Sequence, residues 1–211
     1  RIALYKGTLE RETDRDSRRR LFHTMAALQR GDLQDPAAAM KTLALSLHED
    51  PDDGAAAEAL AELYEQHEMW PHAAAVLEAL LARAPEDPGA HVMHARLGAL
   101  AARAGDAEGA VRHCRSLLEA PSGQDLDLAE RVAEEMRHAG LLADVMRVRA
   151  ASATSSGDKS RWLARLGEAE MTTDSRAAAV TFKEAARLAD ESGDPEQARV
   201  LYEKVRKLSP F

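Results

Sequence analysis

The chain has 211 residues, enough for one or two domains, and its composition is dominated by alanine, leucine, glutamate and arginine with only 4% aromatic residues. This composition favours helix, and the net charge of −8 argues against a nucleic-acid-binding protein, which needs a basic surface. No apolar run approaches the ~18 residues of a membrane span, so we expect no membrane insertion. The single Cys114 cannot form an internal disulfide, which suits a reducing compartment, and we expect a cytoplasmic protein.

Pairs of predicted helices follow one another along the chain. Residues 1–16 have the pattern of the second half of a pair, and residues 17–51 join a helix ending near Gly31 to a helix running from Pro36 to about Glu49. The later pairs share this layout and span 53–86, 88–121, 125–156 and 159–191, before a terminal helix at 194–211. We expect a single repeat domain that is a fragment of a larger repeat protein.

The pairs share a sequence motif. GDAEGAVRHCRSLLEAP at Gly105 and GDPEQARVLYEKVRKLSP at Gly193 both give Gly-Asp-x-Glu-x-Ala, an apolar helical stripe and then a proline. The small residue at the centre of this motif recurs at spacings of 34, 37, 35 and 34 residues, at Ala39, Ala73, Ala110, Val145 and Ala179. This regularity predicts a helical repeat in which two backbones approach closely at each alanine.

Glycine and aspartate mark the predicted helix ends. Gly105, Gly140 and Gly193 are predicted to end helices in the left-handed conformation, which glycine adopts without steric cost. An aspartate followed by proline is predicted to start the next helix, since the carboxylate caps free N–H groups and proline fits the first turn. Such pairs occur at Asp35-Pro36, Asp87-Pro88 and Asp194-Pro195.

The motif resembles the tetratricopeptide repeat. The 53–86 pair matches that pattern best, at Leu60, Ala61, Tyr64, Ala73, Leu77, Leu80 and Pro85. Two later pairs match at Leu97, Gly98, Gly105 and Ala110, and at Trp162, Leu166, Gly167, Ala179 and Ala186. The resemblance implies an all-α fold, a right-handed α-solenoid of about five to six antiparallel helix pairs. Helix 175–191 fits either the second helix of the fifth unit or the first helix of a sixth.

The resemblance also implies a function, namely a non-catalytic scaffold that binds a peptide or helix of a partner protein in its concave groove. Pentatricopeptide repeats have a similar period and bind RNA, but they tend to be basic, and a net charge of −8 argues against them. Phosphate loops, nucleophile elbows and HExxH helices are absent from the sequence, so we expect no enzyme and no cofactor. The charged segment 11–20 is interpreted as a loop and the solvated start of a helix.

Two acidic stripes and an apolar strip are the candidate partner-binding surface. They are the first stripe of Glu58, Glu62 and Glu65, the second stripe of Asp127, Glu130 and Glu134, and the strip of Val92, Ala95, Ala99 and Ala102. Each set recurs at helical spacing on a first helix, and the resemblance implies that first helices line the groove. We expect a partner with basic ends and a small apolar middle, an amphipathic helix or extended peptide. The alternative is that these are ordinary solvated charges.

A histidine and cysteine cluster offers a rival interpretation. His91 and His94 lie one turn apart, and the register of antiparallel helices places Cys114 opposite His94, beside His113. Zinc accepts such ligands, so a metal-binding or enzymatic module is one alternative to the scaffold. A packing cysteine with surface histidines is the simpler interpretation, and no metal site is predicted. A second alternative is a structural spacer within a larger protein.

The two ends of the repeat array are expected to remain partly uncovered. We predict that Ile2, Leu4, Val205 and Leu208 form partly exposed apolar surfaces, which would allow weak self-association. Trp70 and Trp162 are expected to act as wedges between helices.

Overall fold

The computed structural model describes residues 1–85 and 87–208, which form α-helices joined by short loops and contain no β-strand. The twelve helices in these ranges are α1 (Ile2–Leu9), α2 (Arg15–Arg30), α3 (Pro36–Glu49), α4 (Gly54–Gln66), α5 (Trp70–Arg83), α6 (Ala90–Ala104), α7 (Ala107–Leu117), α8 (Gly123–Glu135), α9 (Ala139–Ser152), α10 (Ser156–Glu170), α11 (Ser175–Glu191) and α12 (Pro195–Leu208). The predicted all-α class of antiparallel helix pairs is confirmed. The right-handed sense and the repeat boundaries stay predictions, and Glu86 and 209–211 lie outside the described residues.

The chain divides into two compact units, residues 1–93 and residues 94–211, and α6 runs across the boundary. In unit 1, α2, α3 and α4 enclose a core of Ala26, Ala39, Leu43, Ala56, Leu60 and Leu63. The antiparallel course of α2 and α3 follows from Arg18, near the start of α2, which donates to Glu49 at the end of α3 at 2.7 Å.

Unit 2 has a core of alanine, leucine and valine side chains from α6 to α12, with the fully buried Phe182 and Met146 among them. Helix α11 packs on both α10 and α12, which fits its assignment to either the fifth or a sixth unit of the repeat. The central small residues of the motif are buried as predicted, since Ala39, Ala73, Ala110 and Val145 have no exposed surface.

Aspartate side chains cap six of the twelve helices in the described residues. Asp14, Asp35, Asp53, Asp106, Asp174 and Asp194 each accept a hydrogen bond from a backbone N–H two or three residues later. These bonds satisfy N–H groups that have no partner within the helix. The Asp-Pro prediction is confirmed for α3 and α12. At Asp87 the carboxylate accepts from Gly89 N at 2.6 Å, and α6 begins two residues later than predicted, at Ala90.

The predicted left-handed helix ends are confirmed at two glycines and wrong at the third. Gly105 and Gly193 have φ values of 75° and 82°. Gly140 lies inside the first turn of α9, and the left-handed residue of that turn is Arg137, with φ 52°. The difference arises because the His138 side chain caps α9 by accepting from Leu141 N at 2.9 Å, which moves the turn upstream. Gln34 and Glu68 also have positive φ, 49° and 58°.

The residues predicted to form the ends are partly exposed. Leu4 is exposed on α1, Ile2 is half-buried, and Val205 and Leu208 on α12 are half-buried against the core of unit 2. Self-association through them stays a prediction.

Candidate functional site

The first acidic stripe lies on α4, in unit 1. Glu58 and Glu62 are exposed and Glu65 is half-buried. Glu62 accepts a hydrogen bond from Arg30 of α2 at 2.8 Å, so this stripe is connected to the neighbouring helix. Because Glu62 and Arg30 are both about half exposed, their ion pair is in contact with solvent.

Next to this ion pair, α2 and α4 border an apolar groove with a volume of about 320 Å³. Its apolar lining comprises Ala26, Ala27, Gly31, Leu43, Ala59 and Leu63, and His23 and Arg30 of α2 complete it. The groove exists because small residues occupy the facing positions of α2 and α4, so the helix surfaces leave space between them. Sequence reasoning missed it, although the Ala26-Ala27 pair and Gly31 on one predicted helix and Ala59 on the next were visible signals.

A second bond joins α2 to Asp53, the N-cap of α4, about two helical turns before Arg30 along α2. His23 Nε2 lies 2.6 Å from Asp53 Oδ2, and since a carboxylate only accepts, the His23 ring donates. Asp53 is buried, caps α4 through Ala56 N, and lies 3.3 Å from Ser46 Oγ. The groove is therefore framed by two interhelical contacts, His23–Asp53 and Arg30–Glu62.

The second acidic stripe lies on α8, in unit 2, and is largely offset by two arginines. Arg149 of α9 bonds Asp127 at 2.6 Å and Glu130 at 2.9 Å. Arg165 of α10 contacts Glu130 at 2.5 Å and Glu134 at 3.2 Å. Glu130 is only 15% exposed, whereas Asp127 is 68% exposed. The two guanidinium groups contact all three carboxylates, and their two positive charges balance two of the three negative charges. The second stripe therefore stabilises the packing of α8 on α9 and α10.

Trp162 belongs to the same cluster. The guanidinium carbon of Arg149 lies 4.9 Å from its ring centroid, and that of Arg165 lies 5.9 Å away. The Arg149 Nε is buried without a hydrogen-bond partner. Trp162 is half-buried and packs against the core of unit 2, as a wedge would, but its ring is also the surface on which both arginines lie.

The predicted apolar strip on α6 is only partly a surface. Val92 is 69% exposed, and Ala95 and Ala99 are half-buried. Ala102 is 8% exposed and forms part of the core of unit 2, which corrects its assignment to the binding strip. The α6 helix turns this residue inward because Leu97 and Ala101 define the buried face.

The histidine and cysteine cluster is arranged differently from the prediction. His94 Nδ1 lies 3.0 Å from His113 Nδ1, so His113 is the residue opposite His94. Cys114 packs against Gly98, where a Cβ would lie 3.1 Å from its Sγ. His113 is buried, which corrects the expectation that the histidines are surface residues.

The chemistry of this cluster is that of a packed core. Cys114 has no exposed surface, and burial raises the pKa of its thiol to about 11, above the usual 9.0. In the part of the chain that the structure describes, no three His, Cys, Asp or Glu side chains come together as metal ligands would.

No protein-family model and no curated protein matches the chain. Among solved structures, it is similar to a tetratricopeptide repeat protein from Parabacteroides merdae, at 12% identity and a TM-score of 0.51, over 99% of this chain and 85% of that one. A MamA RS-1 ArsTM double mutant is 15% identical, with a TM-score of 0.49 over 85% of this chain and 97% of that one. YrrB, described as a TPR protein with an unusual peptide-binding site, is 15% identical, with a TM-score of 0.37 over 90% and 86%.

The fold assignment rests on the first of these three structures, which shows that the chain has a tetratricopeptide-like fold. Across the described residues, no helix combines the length and apolar character needed to cross a bilayer.

Proposed function

We propose that this protein is a non-catalytic interaction scaffold that binds a segment of a partner protein in the groove between α2 and α4. The observation that carries the proposal is the groove itself, an apolar depression of about 320 Å³ with His23 and Arg30 as its polar lining. Binding sites commonly combine an apolar lining with a few placed polar groups, over volumes of roughly 300–1,000 Å³. The groove lies at the lower end of this range, which suits one or two apolar side chains of a larger partner.

The frame of the groove favours a site that is formed before the partner arrives. His23–Asp53 and Arg30–Glu62 both connect α2 to the α4 side, and Leu43 and Leu63 belong to the buried core beneath. A groove held open in this way loses little conformational freedom on binding, and this raises affinity for a given buried area.

The acidic stripe of α4 supplies the electrostatic part of the proposal. Glu58, Glu62 and Glu65 would attract a basic partner and would mainly raise its association rate, whereas burial of apolar surface would set the dissociation rate. Reversing all three to lysine should therefore slow association and flatten its dependence on salt. The other predicted positions (Val92, Ala95 and Ala99 on α6, and Asp127, Glu130 and Glu134 on α8) stay proposed contacts. The positions on α8 are the weaker candidates because their carboxylates already form ion pairs with Arg149 and Arg165.

The experiment fills the groove. Ala27 is exposed and lines it, so Ala27→Trp should occupy the groove without disturbing the core. Ala37→Trp is the matched control, because Ala37 is exposed on α3 in the same unit and outside the groove lining. Affinity capture from the source lysate should recover proteins with the parent and with Ala37→Trp that Ala27→Trp loses. If all three recover the same proteins, the groove is not the binding site. If none of them recovers a protein above background, the spacer alternative becomes the better account.

A further inference from the structure

Four residues of α2 lie on one face of that helix and line the groove. His23, Ala26, Ala27 and Arg30 are spaced at i, i+3, i+4 and i+7, which is the spacing of a single helix face. The two alanines contribute an apolar floor, and the two polar residues lie at its ends, about 10 Å apart along the helix axis at 1.5 Å per residue. A ligand that fills the groove therefore meets an imidazole at one end and a guanidinium at the other.

The imidazole of His23 offers a hydrogen-bond acceptor to the groove. Its Nε2 lies 2.6 Å from Oδ2 of the buried Asp53 and donates to it. In a neutral imidazole one nitrogen donates and the other accepts, so this bond leaves Nδ1 as the acceptor. In the part of the chain that the structure describes, Nδ1 has no hydrogen-bond partner and is accessible to solvent, and the side chain as a whole is 35% exposed. A donor on a ligand can therefore reach this nitrogen.

The guanidinium of Arg30 offers a cationic face. Its ion pair with Glu62 uses Nη1, at the edge of the planar group, at 2.8 Å. Among the described residues, no aromatic ring lies over the face of this guanidinium. A side chain on a helix generally points toward the N-terminus of the helix, which for Arg30 is the direction of the two alanines. An aromatic side chain in the groove can therefore stack on this face without breaking the ion pair.

The acceptor, the apolar floor and the cationic face together select the side chain that fits. Leucine and phenylalanine would cover the floor but would leave Nδ1 of His23 without a partner after water is displaced, which costs free energy. Ionised aspartate and glutamate have no donor, and lysine and arginine would place a like charge against Arg30. Tryptophan combines an N–H group that only donates with the aromatic face that attracts a cation most strongly. Tyrosine also donates, but its ring attracts a cation less strongly.

We infer that the groove is a pocket for one tryptophan side chain of the partner segment, with the indole N–H donating to Nδ1 of His23 and the ring stacked on the guanidinium of Arg30. This inference rests on the proposed function and names the residue through which the partner binds. The groove volume of about 320 Å³ lies at the lower end of the range for binding pockets, as expected for a site that takes a single large side chain.

Three small probes test the inference on the unchanged protein. They are N-acetyl-tryptophanamide, its N-methylindole derivative, which lacks the donor, and N-acetyl-leucinamide, which lacks both the donor and the ring. Each is titrated into the isotope-labelled full chain at mildly alkaline pH, which favours neutral imidazole, and the NMR shifts of backbone amides give the dissociation constants. The tryptophan probe should bind about fivefold more tightly than its N-methyl derivative, as expected for one hydrogen bond. The N-methyl derivative should bind about threefold more tightly than the leucine probe, as expected for stacking on a cation.

Two variants separate the two contacts. His23→Lys keeps a donor for Asp53 but has no acceptor, so the two indole probes should bind it equally. Arg30→Gln keeps an amide donor but has no charge, so the N-methyl derivative should lose its advantage over the leucine probe. His67→Lys and Arg176→Gln make the same exchanges at exposed positions outside the groove lining, and they should keep the parent ratios. Because each readout is a ratio between two neutral probes, a change in the net charge of the protein does not mimic the expected result.

The inference is wrong if the parent binds the two indole probes equally, if it binds none of the three, or if either preference persists in the variant designed to remove it. If thermal melting shows that His23→Lys does not fold, the comparison of probes on the parent decides.

Failure of the proposed function gives a different result. If the parent binds all three probes with equal affinity and Ala27→Trp blocks them, the groove is a docking site without a preference for tryptophan. If Ala27→Trp binds the probes as well as the parent does, both the docking function and the tryptophan pocket are rejected.

Discussion

Gly167 of α10 and Phe182 of α11 are packed so closely that the glycine position has no room for a side chain. A Cβ on Gly167 would lie 2.7 Å from Phe182 Cε1, and Phe182 has no exposed surface through which it could move away. The close approach of α10 and α11 therefore depends on the absence of one methyl group.

Gly167→Ala should lower the free energy of unfolding by roughly 1–3 kcal/mol, because overpacking outweighs the better helix propensity of alanine. Denaturant unfolding measures the change. Gly157→Ala is the matched control in the same helix, since its Cβ would meet nothing closer than 3.6 Å and should cost nothing. Equal free energies of unfolding for Gly167→Ala and Gly157→Ala would contradict this prediction, since they would show that α10 and α11 accommodate the extra methyl group at no cost.

Ala73→Leu should destabilise the protein by roughly 1–3 kcal/mol, because Ala73 is fully buried in α5 at a central position of the repeat. Thermal melting detects this loss. Ala75→Leu places the same side chain at an exposed position of the same helix and should melt with the parent. A parent-like melting temperature for Ala73→Leu would contradict the predicted repeat register.

Glu130→Ala should destabilise unit 2 by roughly 1–3 kcal/mol, since Glu130 contacts both Arg149 and Arg165 and its removal weakens the pairing of both guanidinium groups. Asp127→Ala removes a more exposed partner of Arg149 and should cost less, about 0–1 kcal/mol. Chemical denaturation of the two variants compares the positions. A larger loss for Asp127→Ala would mean that the exposed end of the network contributes most.

The contacts between α2 and the end of α3 predict an acid dependence of stability. The hydrogen bond from Arg15 holds the pKa of Asp50 below its usual 3.8, and the hydrogen bond from Arg18 holds the pKa of Glu49 below its usual 4.5. Since both pKa values are lower in the folded state, their stabilisation is present above the ordinary values and is lost as the pH falls through the folded ones.

The free energy of unfolding should therefore fall as the pH drops through the ordinary values of 4.5 and 3.8 and below, and less steeply in the Glu49→Gln/Asp50→Asn variant than in the parent. Urea unfolding across this range measures the slopes. Exposed Glu196→Gln provides the control, with a parent-like slope. Parallel slopes for the parent and the double variant would rule out these two carboxylates as the source.

Local signals made much of the fold predictable. Asp35-Pro36 placed the start of α3 correctly, because capping depends on neighbouring residues, and Gly31 marked the end of α2, although its φ of −87° is not left-handed. The prediction that Gly140 ends a helix in the left-handed conformation was wrong for a reason that is also local. The His138 side chain caps α9, and this alternative cap was harder to anticipate. The prediction that Ala102 belongs to an exposed strip was wrong because alanine fits either a surface or a core. Only the packing of α6 determines which of the two it occupies.

The candidate site was predictable only in part. The spacing of Glu62 predicts a place in the partner-binding stripe, and this stays a prediction. Its ion pair with Arg30 joins residues 32 positions apart and depends on how α2 packs beside α4. For the same reason, the pairing of Arg149 and Arg165 with the second acidic stripe could not be inferred from α8 alone. The groove required both helices to be placed, since its lining comes from α2, α3 and α4.

Three of the left-handed turns are occupied by residues that are poorly suited to them. Gln34, Glu68 and Arg137 hold positive φ values with a Cβ attached, a conformation that costs roughly 1–2 kcal/mol per residue relative to glycine. Glycine at any of these three positions should therefore raise the free energy of unfolding. That gain would compensate for a destabilising substitution elsewhere in the chain. New surface chemistry could thus accumulate on the helices of this protein, with the loss of stability recovered at positions remote from the groove.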